Sequence, residues 1–109
     1  MAARGAITRY LQQHYEGSGI MMSMGSLGHY MHDLSLAGFD IKDFLHEGNG
    51  EIWRFAMLQP RGHAGWLIVE GDAEGGDALH HAAQRGDWLD GFALVAEGGG
   101  ARLYRAAEP

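Results

Sequence analysis

Three times along this chain an apolar or alternating stretch runs into a short polar turn containing glycine, and a helix-patterned stretch follows. The turns are Met24-Gly25-Ser26, His46-Glu47-Gly48-Asn49 and Glu70-Gly71-Asp72. Parallel strands need a long crossover connection and antiparallel ones do not, so repeated strand-turn-helix order predicts parallel strands joined by helices. Those turns then share the carboxyl edge of one sheet, the edge at which open α/β sheets bind ligands. Ser26, His46, Glu47, Glu70 and Asp72 are placed together there.

The individual elements follow from periodicity. Ile7, Tyr10, Leu11 and Tyr15 recur at helical spacing, predicting a helix over residues 4–16 that Gly17 ends. Ile20 to Met24 has strand length. Ser26 stands at an N-cap position before a stripe of Leu27, Tyr30, Met31 and Leu34, which stops at Gly38. Phe39, Ile41 and Asp43 alternate with Asp40 and Lys42 and lead into Phe44 and Leu45, predicting a second strand with a more exposed start. Gly48 reads as a positive-φ turn residue. Asn49 reads as the cap of a helix carrying Ile52, Trp53, Phe55, Ala56 and Met57, ended by Pro60.

Trp66 to Val69, continuous, apolar and partly β-branched, is the third strand. Met22, Met24, Leu67 and Val69 are expected in the core, and Val69→Asp is expected to unfold the domain. Asp77 caps a helix with Leu79, Ala82 and Ala83 inward, closed by Gly86, with His80 and His81 on its solvated outer face. Phe92–Glu97 and Ala101–Arg105, linked by Gly98-Gly99-Gly100, read as an antiparallel hairpin with at least one glycine at positive φ. The expected fold is a small three-layer αβα domain over residues 1–109, with a mainly parallel sheet ending in that hairpin.

Composition narrows function by exclusion. The 109 residues suit one core, and 46% hydrophobic content is too rich for disorder. A formal charge of −6, with seven Arg and one Lys scattered along the chain, argues against nucleic acid as a partner. The lack of Cys removes thiol nucleophiles and Cys-based zinc sites. No apolar run approaches the roughly 20 residues that span a bilayer. Ala2-Ala3-Arg4 leads into no apolar stretch, so no signal peptide is expected. Arg over Lys, with 18 Gly, fits a GC-rich bacterial coding bias.

Among constellations that carry chemistry, Gly25-Ser26 at a helix start can hold an anion, but Gly25 and Gly28 lack the third glycine of a dinucleotide fingerprint, and no cofactor is expected. His29, His32 and Asp33 lie three and four apart on one helix and read as a solvated face. No nucleophile elbow is present. The strongest ligand-binding set is Gly25, Ser26, His46, Glu47 and Asn49, where His46 and Glu47 are suited to acid-base work. A weaker alternative has Glu47, Glu70 and Asp72 hold a hard cation such as magnesium.

Four stretches, IMMSMGSLGHYMHDLSLAGF, DFLHEGNGEIW, WLIVEGDAEGGD and GFALVAEGGGARLYR, together resemble the soluble C-terminal region of bacterial membrane glycosyltransferases of the dolichyl-phosphate-mannose protein mannosyltransferase-like class. The resemblance is closest in the last stretch: an aliphatic strand, a Glu-Gly-Gly turn and Arg-Leu-Tyr-Arg. It implies a polyprenyl-phosphate sugar donor and a catalytic acid in a membrane part that this chain lacks. No catalytic residue is therefore carried over, and the membrane domain becomes the implied partner. The implied location is periplasmic, and cytoplasmic without the resemblance. Three readings stand: a non-catalytic accessory domain of such an enzyme, a small anion- or ligand-binding module at the sheet's carboxyl edge, and a metal-assisted enzyme.

Overall fold

A computed structural model of the chain describes residues 5–23, 30, 32–71, 78–98 and 100–107. Among the described residues it is a small α/β domain built on a five-stranded mixed sheet. The strands are β1 (Ile20–Met21), β2 (Phe44–Leu45), β3 (Trp66–Glu70), β4 (Phe92–Gly98) and β5 (Ala101–Ala106), and the helices are α1 (Gly5–His14), α2 (described over 32–36), α3 (Glu51–Leu58) and α4 (Ala78–Ala83). The spatial order is β2-β1-β3-β5-β4. Strands β2 and β3 both run parallel to β1, with Met21 level with Leu45 and Leu67. Strand β5 pairs antiparallel with both β3 and β4.

The sheet is therefore mixed rather than mainly parallel. The parallel ladders each match two residue pairs, Ile20 and Met21 on β1, whereas β3–β5 runs from Trp66↔Arg105 to Glu70↔Ala101. The hairpin inserts its second strand beside β3, which leaves β4 as the outer edge.

Strand β3 is buried along its whole length, and its residues enter two clusters alternately, as a period-2 backbone requires. Trp66 and Ile68 join Ile7 and Leu11 of α1, Ile20, Met22, Tyr30, Leu34, Phe44, Ala101 and Leu103. Leu67 and Val69 join Met21, Leu45, Trp53 and Ala56 of α3, and Leu79 and Ala82 of α4. Met22, Leu67 and Val69 are buried as expected; Met24 lies outside the described residues.

Helix α1 buries Ile7 and Leu11, four apart on one face, and the chain turns away at Gly17 with φ +96°. The second strand is shorter than its alternation suggests, because residues 41–43 form a 3₁₀ turn. The Asp43 carboxylate accepts the Asp40 N–H at 2.8 Å and the Tyr15 hydroxyl at 3.0 Å. Local side-chain bonding of this kind competes with a ladder and wins here, leaving Ile41 exposed.

The hairpin link bears out its glycine requirement, since Gly100 has φ +80°. Gly100→Val is expected to cost about 1 kcal/mol or more, because a β-branched side chain resists positive φ. Urea denaturation checks this, and an unchanged midpoint would show that the turn relaxes without strain.

Candidate functional site

The three parallel strands do bring their carboxyl ends to one edge, but the residues placed there differ in what they can offer. Gly25 and Ser26, after β1, and Asp72, after β3, lie outside the described residues, as does His29. His32 and Asp33 are exposed.

Glu47–Asn49 form a 3₁₀ turn after β2 with His46 at its N-cap. The His46 N–H donates to Asn49 Oδ1 at 2.8 Å, and His46 Nδ1 accepts the Gly48 N–H at 3.1 Å. Asn49 thus reaches backward and does not cap α3. That helix begins after Gly50, whose φ is +67°. Gly48 likewise is not the positive-φ residue; it is constrained by close approach, since a Cβ there would come 2.8 Å from His46 Cε1. Turn closure accounts for His46 and Asn49.

Glu70 ends β3 and is buried, while Glu47 is exposed beyond β2. One strand separates β2 from β3, about 10 Å from axis to axis. Oxygen ligands of one hard cation must converge to about 2.0–2.6 Å from it. Among the described residues no group of three His, Asp or Glu side chains does so.

A concave cleft lies farther along the same edge. It measures about 550 Å³ and opens between α4 and the turn of the β4–β5 hairpin, against the end of β3. Its floor is Val69 and Ala101, one wall is His80 and Ala83 of α4 with Gln84 just beyond it and Leu89, and the other is Glu97, Gly98, Gly100, Arg102 and Tyr104. Small residues (Ala83, Ala101, Gly98, Gly100) leave the room. The Gly71 N–H donates to the Gly100 carbonyl at 3.2 Å and ties the hairpin to the end of β3. The His80 ring lies over Gly71, with its Nδ1 3.1 Å from where a Cβ would stand. His80 is accordingly half-buried rather than solvated, while His81 is exposed as expected.

Register explains the polar wall. Arg102 is opposite Val69 and Glu97, and Tyr104 is opposite Leu67 and Leu94. Directly opposed residues share a face, so Glu97, Arg102 and Tyr104 all project on the Leu67–Val69 side. A register shift between Leu94 and Ala96 sets Val95 and Ala96 against the α1 side. Glu97 and Arg102 approach to 3.7 Å with side chains 60% and 61% exposed. Tyr104, by its hydrogen bond, and then Glu97 push the guanidinium pKa further up.

A second polar cluster, at the opposite edge, holds the fold. Glu16 Oε1 accepts Trp66 Nε1–H at 2.8 Å and the Ser18 hydroxyl at 2.9 Å, and Glu16 Oε2 stands 3.5 Å from Arg105. Arg105 also lies over the Trp66 ring, 4.8 Å from its centroid. Desolvation alone would raise the Glu16 pKa, but the bonds from Trp66, Ser18 and nearby backbone outweigh it and hold the carboxyl at about 2. The neighbouring Tyr15 hydroxyl is pushed up to about 12, chiefly by burial and further by Asp43.

A carboxyl whose folded pKa lies below its unfolded value stabilises the fold above the unfolded pKa, and that contribution is lost as pH falls towards the folded pKa. The thermal midpoint should therefore drop between about pH 5 and pH 2. Glu16 is half exposed, which keeps its share modest. Glu16→Gln should flatten part of the slope in thermal melts; an unaltered slope would assign it to other carboxyls.

Comparison with known proteins finds no matching family model, no similar curated protein and no similar solved structure. The cleft is thus judged on its own geometry. Sequence reading passed over Gln84, Glu97, Arg102 and Tyr104. The visible signal was the two-residue spacing of Arg102 and Tyr104 on one strand, across a glycine turn from Glu97.

Proposed function

We propose that this domain is a small-ligand-binding module whose site is the cleft between α4 and the β4–β5 hairpin. One observation carries the reading: an apolar floor of Val69 and Ala101 meets Leu89, His80, Gln84, Arg102 and Tyr104 in a concave space of about 550 Å³. Ligand sites typically combine such a volume with a few convergent polar groups. The position also suits the carboxyl-edge rule, since the cleft opens where β3 ends. On this reading three layers cover only β2-β1-β3. Helices α3 and α4 pack on that part, and the outward face of β5-β4 is left to a ligand.

The test is a fragment screen against ¹⁵N-labelled protein. Binding should move the amides of Gly71, His80, Gln84, Gly100 and Arg102 together. Shifts confined to other surfaces would overturn the assignment.

A second reading is favoured by a different surface. Ile52, Phe55 and Leu58, three apart along α3, are 58%, 56% and 75% exposed and form an apolar stripe. An accessory domain of a membrane glycosyltransferase would cover such a stripe with the enzyme's membrane part. Phe55→Glu should then abolish association with a detergent-solubilised mannosyltransferase-like enzyme while leaving the melting temperature unchanged. Association that ignores this substitution, or none at all, would remove the reading. Among the described residues no helix is long and apolar enough to cross a membrane.

A further inference from the structure

We infer that the ligand of this cleft is a small monocarboxylate on an apolar or aromatic body, with its carboxylate anchored on Arg102. The inference rests on the cleft being a binding site and adds the chemical class of what fills it.

A guanidinium presents a planar fork of donors matched to a carboxylate, and Arg102 brings it to the rim of an apolar floor. The protein already supplies one carboxylate there. Glu97 Oε1 stands 3.7 Å from Arg102 Nε, longer than the 2.7–2.9 Å of a charge-assisted hydrogen bond, and both side chains are mostly exposed. Such a pair is weakly held and exchangeable, so an incoming carboxylate can take the place of Glu97 with little cost. The body of the ligand then lies over Val69 and Ala101 and against the Tyr104 ring, with the Gln84 amide at the far wall.

Charge limits the head group to a single negative unit. Glu97, once displaced from the guanidinium, still stands on the neighbouring strand opposite Arg102, and the whole chain carries −6. A phosphate monoester is close to a dianion at pH 7 and meets more repulsion from both. A neutral isostere can accept one hydrogen bond from the guanidinium but forgoes the charge–charge attraction and the two-oxygen fork.

Calorimetric titration of the whole chain with benzoate, its neutral isostere benzamide and phenyl phosphate, at low ionic strength, tests the class. Benzoate should bind about threefold or more tighter than benzamide, and phenyl phosphate more weakly than benzoate. Arg102→Gln should bring benzoate down to about the benzamide level and weaken benzamide much less. Glu97→Gln, by removing the competing carboxylate, should strengthen benzoate binding. Both positions are exposed, and unchanged melting temperatures confirm that the variants fold. Equal binding of benzoate and benzamide in the unaltered protein would overturn the monocarboxylate class but leave the cleft a ligand site. Phenyl phosphate binding as tightly as benzoate would overturn the class in the same way. Loss of both amide and acid, with the cleft amides unmoved, would sink the binding-module reading itself.

Discussion

Leu67→Asp should abolish cooperative folding. Leu67 is fully buried on the middle strand, level with Met21 on one side and Tyr104 on the other. Its side chain packs in the cluster shared with Trp53, Ala56 and Leu79. An unpaired carboxylate there costs several kcal/mol, a large share of the roughly 5–15 kcal/mol that holds a domain of this size. The expected result is loss of the near-ultraviolet circular dichroism signal and of a sharp thermal transition at 25 °C. A variant melting within a few degrees of the unaltered protein would show that β3 is not the centre of the core. Val69→Asp, the change singled out by sequence alone, should be milder, because Arg102 is its cross-strand neighbour and can reach an introduced carboxylate.

The second large effect is at Trp66. Its indole is fully buried, donates to Glu16, lies under Arg105, and meets Tyr10 edge-on at 6.0 Å between centroids. Trp66→Ala removes all of these and leaves a cavity, so a loss of about 3–5 kcal/mol is expected from urea unfolding. Trp66→Phe keeps most of the bulk and loses the N–H; it should cost less and let the Glu16 pKa rise towards the ordinary carboxylate range. If the alanine variant lost under 1 kcal/mol, the cluster would not be what joins the end of α1 to β3 and β5.

Much of the fold was legible because the signals were local. The unbroken run Trp66–Val69 marks a strand buried on both faces, the four-residue spacing of Ile7 and Leu11 marks an amphipathic helix, and three glycines between two β-rich stretches mark a hairpin. What escaped was competition between local and longer patterns. Residues 40–43 alternate like a strand, yet Asp43 bonds back to Asp40 and closes a 3₁₀ turn. In the turn after β2, two glycines and one Asn fit several roles, and only backbone geometry assigns positive φ to Gly50 and steric necessity to Gly48. Strand order is non-local, so the insertion of β5 between β3 and β4 could not be read from the chain.

The site was harder to read than the fold for the same reason. From sequence the carboxyl edge pointed to the turn after β2, where the His46 N–H and ring and the Asn49 side chain close the turn; the proposed cleft lies farther along the same edge. The cleft is assembled from three separate stretches: Val69 and Gly71, four residues from His80 to Leu89, and Glu97, Gly98, residues 100–102 and Tyr104 of the hairpin. Arg102 becomes a rim residue because register sets it opposite Val69 on the face beside α4.

A crystal structure of the domain grown with benzoate tests the central claim most directly. The ring should lie over Val69 and Ala101, between α4 and Tyr104, with the carboxylate on Arg102 and Glu97 displaced from it. Benzoate seated instead at the His46–Asn49 turn or on the α3 stripe, with Glu97 still against Arg102, would contradict it.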